Sequence, residues 1–144
     1  MILKYPVALG VDWAYITGKL YYQDLNKTLD MNSWQSTETS WNSGKPNEKK
    51  LTDVFALNNA PSLIGKYTDN FAVKMYGKIN LNIAGAWKFY ARHDDGLALK
   101  IDTVSECRSG VESEISEYMT VNVSETGWKD FLMYYHNGSG DKYY

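Results

Sequence analysis

The sequence predicts an all-β fold, an antiparallel β-sandwich, and three observations carry that expectation. Apolar residues recur at every second position, the spacing of half-buried strands. Turn-forming residues punctuate the chain at short intervals. Aromatic residues make up 15% of the 144 residues, with 12 tyrosines and five tryptophans, a bias that suits pleated sheet faces better than a helical bundle. A chain of this length buries enough surface for one core without disulfide or metal staples.

Taken in order, the N-terminal stretch places Tyr5, Val7, Leu9, Val11 and Trp13 on one face of an extended segment and Pro6, Ala8, Gly10 and Asp12 on the other. Residues 26–61 are rich in Ser, Thr, Asn, Lys and Gly, with Trp34 and Trp41 among them. They read as a long surface loop with one short helical turn at residues 51–57. Alternation then returns in Phe71-Ala72-Val73-Lys74-Met75, Ile79-Asn80-Leu81-Asn82-Ile83, Leu97-Ala98-Leu99-Lys100-Ile101-Asp102 and Val121-Asn122-Val123. Trp87-Lys88-Phe89-Tyr90-Ala91 and Phe131-Leu132-Met133-Tyr134-Tyr135-His136 are apolar on both faces, as strands inside a sandwich are. Turns are expected at Ala84-Gly85, Asp94-Asp95-Gly96, Ser109-Gly110, Glu125-Thr126-Gly127 and Asn137-Gly138-Ser139-Gly140.

Charge and motif content exclude several function classes. Fifteen Lys+Arg against 17 Asp+Glu give a net charge of −2, which offers no basic field for nucleic acid. No window approaches the roughly 18 apolar residues of a membrane span, so no membrane insertion is expected. Lys4, Pro6 and Asp12 interrupt the apolar N-terminus, and no signal peptide is visible. Cys107 is the single cysteine, so no intrachain disulfide forms; it reads as an inert small residue, with a reactive thiol or a bridge between subunits as the alternatives. His93, His136 and Cys107 lack the short spacing of a zinc site. Neither a nucleophile elbow nor a phosphate-binding glycine loop occurs, and an enzyme is not expected.

The pair Asp94-Asp95, in the turn His93-Asp94-Asp95-Gly96, puts two carboxylates at a sheet edge. Neighbouring side chains on extended backbone point to opposite faces, which disfavours a glycosidase pair. A cis peptide between them would turn both to one side, where they could share a hard cation such as Ca²⁺; otherwise the motif is an ordinary Asp-Gly turn.

The stretch Phe71-Ala72-Val73-Lys74-Met75-Tyr76-Gly77 followed by Gly85-Ala86-Trp87-Lys88-Phe89-Tyr90-Ala91-Arg92-His93-Asp94-Asp95-Gly96-Leu97-Ala98-Leu99-Lys100-Ile101-Asp102 resembles the central signature of a known family. That family is the fourteen-kilodalton domain named after anthrax protective antigen, a β-sandwich also found in yeast flocculins and bacterial adhesins. Ile16-Thr17-Gly18-Lys19-Leu20-Tyr21-Tyr22 is similar to its opening strand, and Tyr134-Tyr135-His136-Asn137-Gly138-Ser139-Gly140-Asp141 to its closing loop. The resemblance implies a Ca²⁺-dependent lectin site in which Asp94 and Asp95, joined by a cis peptide, and Asn137 hold the ion while vicinal sugar hydroxyls complete its shell. Thr103 stands where the family has glycine after Ile-Asp, so the turn there departs from the pattern. Trp34, Trp41, Tyr135 and His136 are the candidates for flat faces that stack on sugar rings.

The resemblance also implies one more strand after the closing loop, whereas the sequence stops at Lys142-Tyr143-Tyr144. The segment around residues 4–13 is expected to supply that strand, either in cis by folding back onto its own opening strand or in trans by insertion into another subunit. Two functional expectations result. One is a calcium-dependent, glycan-binding adhesin module, extracellular or at a cell surface. The other is a structural subunit of a filament or virion, a homo-oligomer assembled by strand donation through Tyr5, Val7, Leu9, Val11 and Trp13.

Overall fold

A computed structural model describes residues 2–6, 20–52 and 69–139. Nine strands and one helix appear there in the order β1 (Ile2–Pro6), β2 (Leu20–Leu25), α1 (Trp34–Asn42), β3 (Lys50–Thr52), β4 (Phe71–Leu81), β5 (Gly85–His93), β6 (Gly96–Ile101), β7 (Val104–Arg108), β8 (Glu112–Val123) and β9 (Gly127–Asn137). They form a six-stranded sheet, β3-β2-β4-β9-β6-β7, and a three-stranded sheet, β1-β5-β8. Every pairing is antiparallel. The expected all-β sandwich is the observed fold.

Period-two alternation sorts the side chains. Phe71, Val73, Met75, Ile79 and Leu81 of β4, Leu97, Leu99 and Ile101 of β6, and Phe131, Met133 and Tyr135 of β9 point inward. They meet Trp87, Phe89 and Ala91 of β5 and Met119, Val121 and Val123 of β8 to make one core. In β8 the register shifts by one residue between Met119, opposite Phe89, and Glu117, opposite Tyr90. This bulge leaves Tyr118 as the extra residue and lets the consecutive Tyr118 and Met119 both be buried. The Tyr118 hydroxyl then donates across the sandwich to the Leu97 carbonyl of the other sheet.

The outer face of the six-stranded sheet carries a second core. Ala72 and Ala98 leave a shallow place beside Tyr134, into which Leu29, Met31 and Trp41 pack, with Trp34, Cys107 and Leu132 at its margin. Here the structure corrects the sequence reading, because the region expected to be a surface loop contains α1. Its N-terminus is a capping box, in which the Ser33 hydroxyl accepts from the Ser36 N–H and the Ser36 hydroxyl accepts from the Ser33 N–H. Thr37 and Trp41, four residues apart, form its buried stripe. The helical turn expected at residues 51–57 is replaced at residues 51 and 52 by strand β3; the rest of it lies outside the described residues.

Two further differences are local. Strand β4 runs unbroken through Gly77, which sits opposite Phe131, where the sequence suggested two strands. Thr103 does not break the β6-β7 turn, because Asp102 takes the left-handed conformation at φ 56° and Ile101 pairs with Val104. At the N-terminus, Ile2–Pro6 lies beside β5 in the same chain, while β2 has β3 and β4 as neighbours. Tyr5 belongs to β1; Val7, Leu9, Val11 and Trp13 lie outside the described residues.

Candidate functional site

The chain crosses from one sheet to the other between β5 and β6, and that crossing is Asp94-Asp95. Gly96 pairs with His136 and Phe71 with Asn137, which brings the end of β9 and the start of β4 to the same end of the sandwich. A Cβ at Gly96 would lie 2.5 Å from the Met31 sulfur and 2.8 Å from His136 Nε2, so any other residue there displaces those two side chains. The sequence motif and the closing loop therefore converge on one corner.

Main-chain groups hold this corner. The Asp95 N–H donates to the His136 carbonyl at 3.1 Å, and the Asn70 N–H donates to the Gly138 carbonyl at 2.6 Å. The Gly138 N–H donates to the Asp95 carboxylate at 2.7 Å, fixing one carboxylate oxygen against the loop that carries Asn137. Tyr135 donates its hydroxyl to the Asp94 carbonyl. The Asp94–Asp95 peptide is cis.

His93 and Asn137 are fully buried polar residues at this corner. His93 Nδ1 lies 2.6 Å from the Asp95 carbonyl. A carbonyl can only accept, so Nδ1 carries the proton and Nε2, buried and without a hydrogen-bond partner, is bare in the neutral ring. Burial holds the His93 pKa below the usual histidine value, against the opposing pull of the Asp95 carbonyl. Asn137 is the larger anomaly: neither the oxygen nor the nitrogen of its carboxamide has a hydrogen-bond partner. Such a group costs about 1–3 kcal/mol when buried unsatisfied.

No protein-family model, curated protein or solved structure matches this chain.

Of the residues expected to form the metal site, Asp95 accepts from the N–H of Gly138, which follows Asn137 in sequence, and Asp94 precedes Asp95 through the cis bond. Among the described residues no three or more His, Cys, Asp or Glu side chains gather into a metal-binding group.

The four expected sugar-facing residues are placed differently. Trp41 and Tyr135 are 3% and 0% exposed, Trp41 against Tyr134 under α1 and Tyr135 edge-on to Phe71 in the main core. Neither leaves a ring face open to a ligand in this conformation. His136 lies on the outer face of β9, half-buried, where its Nδ1 accepts the Leu29 N–H at 2.8 Å and ties the segment before α1 to the strand. Burial lowers its pKa, with Asp95 opposing. Trp34 is half-buried at the rim of the helix layer, 5.5 Å from Tyr134. The sequence reading did not single out Tyr118, Gly96 or the Gly138 N–H. An Asp-Asp-Gly turn between strands predicts close approach at the glycine, but nothing in the sequence names the partners.

Proposed function

We propose that the chain is a calcium-dependent carbohydrate-binding module of adhesin type, working at a cell or particle surface. The observation that carries the reading is the Asn137 carboxamide, buried and without a hydrogen-bond partner, next in sequence to Gly138, whose N–H holds the Asp95 carboxylate. A buried amide oxygen without a donor is a vacant ligand. Calcium takes about six to eight oxygens, from carboxylates, amide and main-chain carbonyls and water. Asp94, Asp95 and Asn137 would hold the ion, and the ion would supply a positive anchor that vicinal sugar hydroxyls bind in place of water. The resemblance to the protective-antigen domain supports the same reading from the sequence side. It needs no catalytic group.

Calorimetric titration with Ca²⁺ tests the proposal. The wild-type chain binds the ion, and Asp94→Asn/Asp95→Asn abolishes the heat. Wild-type protein that takes up no calcium, or a double variant that titrates like wild type, overturns it.

A further inference from the structure

The helix layer covers only part of the outer face of the six-stranded sheet. Beyond it the strand register lines up Tyr21, Tyr76, Leu132 and Lys100 across β2, β4, β9 and β6. The next rows on the same face pair Lys78 with Asp130 and Asn80 with Trp128. The result is an open groove of about 810 Å³ on the sheet face.

Its surface is unusual in what it leaves uncovered. Trp128 is 55% exposed and Tyr21 37%, two of the four large hydrophobic residues exposed among the described residues. The Tyr21 and Tyr76 rings stack on each other at 5.3 Å and 27°, which leaves Trp128 as the more open aromatic face of the groove. Cations stand over the rings. Lys49 Nζ is 4.6 Å from the Tyr21 centroid and Lys74 Nζ 5.2 Å from that of Tyr76, while Lys100 Nζ is 5.7 Å from the ring of Trp34, which does not line the groove. Lys78 is ion-paired with Asp130, whereas neither Lys74 nor Lys100 has a salt bridge among the described residues; Glu38 acts on Lys74 only through space.

We propose that this groove is a second glycan-binding site, independent of calcium, for an oligosaccharide that carries carboxylates. The exposed indole of Trp128 matches the C–H face of a sugar ring. The two unpaired ammonium groups supply charge for uronate carboxylates. Asp102 and Asp130 at the margin accept hydroxyl protons. A peptide fits less well: the groove crosses strands on a sheet face, away from any open edge, so it offers no main-chain pairing, and Leu132 is its one aliphatic side chain.

The test is run in EDTA, which silences any calcium site, and uses calorimetry of the full chain with tetramers of glucuronic acid and of glucose. The glucuronic acid tetramer binds about tenfold tighter than the glucose tetramer, the equivalent of about 1.4 kcal/mol. Trp128→Ala and Lys100→Gln each weaken glucuronate binding about tenfold, while Asp94→Asn/Asp95→Asn leaves it unchanged. Trp128 and Lys100 are not core residues, and circular dichroism confirms that both variants fold. Absence of wild-type binding to the acidic tetramer overturns the site, as does binding indifferent to both substitutions. Equal or tighter binding of a hexaglutamate peptide also overturns it, by making the groove a receptor for acidic peptides. Loss of calcium binding at the Asp94 corner would leave these outcomes untouched, so the two proposals fail separately.

Discussion

At the level of single residues, Asn137 is where fold and proposed function conflict. A fully buried carboxamide without partners weakens the metal-free protein and becomes useful only when something fills its valence. Asn137→Leu keeps the size and removes the polar atoms. In EDTA its urea midpoint is expected to equal or exceed that of wild type, by up to about 1 kcal/mol in stability. In calcium, wild type gains stability and the variant does not. A variant that loses stability in EDTA and still responds to calcium would mean that the carboxamide has a structural partner instead. The Asp pair and the closing loop were legible because they are local strings. The aromatic candidates were less so, since a tyrosine's side of a sheet depends on strand phase: Phe131, Met133 and Tyr135 share the inner face, which a run apolar on both faces does not reveal. His136 falls on the opposite face, and its bond to Leu29, 107 positions away in sequence, has no local signature.

Among the elements, α1 is the helix the sequence reading lacked. Gln35-Ser36-Thr37-Glu38-Thr39-Ser40 is polar and poor in strong helix formers, so the segment resembles a loop by composition. What holds it is the Ser33 cap and the Trp41 anchor, and the second exists only once Ala72 and Ala98 have opened room on the sheet. Trp41→Ala is expected to cost about 3–5 kcal/mol in urea unfolding, as for other buried aromatic truncations. Ser33→Ala costs about 1 kcal/mol, the usual loss for a cap. If Trp41→Ala proves no worse than Ser33→Ala, the helix is a loose cover and not part of the second core. The strands were found by periodicity, but β7 was missed, because Val104-Ser105-Glu106-Cys107-Arg108 is a polar edge strand without a clean apolar face.

For the whole molecule, the sandwich was legible and the assignment of strands to sheets was not. Alternation tells that a strand has a buried face; which neighbour it meets, as when β1 joins β5, is set by contacts far apart in sequence. Two buried tyrosines give the molecule a pH dependence. Burial pushes the pKa of Tyr118, between the sheets, and of Tyr134, beneath α1, well above the ordinary value of 10.0. The folded state therefore keeps both phenols protonated where the unfolded chain releases its protons, so their contribution is complete below about pH 10 and declines as the pH rises beyond it. Urea midpoints measured across that range should fall with rising pH, and Tyr118→Phe should flatten the fall; an unaltered slope in the variant refutes the assignment. Strand β9 gives the molecule its mechanical character. It lies between β4 and β6, is paired along its whole length from Gly127 to Asn137 on the β4 side, and ends at the Asp94 corner. A tensile load applied to anything gripped at that corner runs along β9 and meets its hydrogen bonds in shear, all of them sharing the force, so the strand resists extraction where a peeled edge strand would unzip bond by bond.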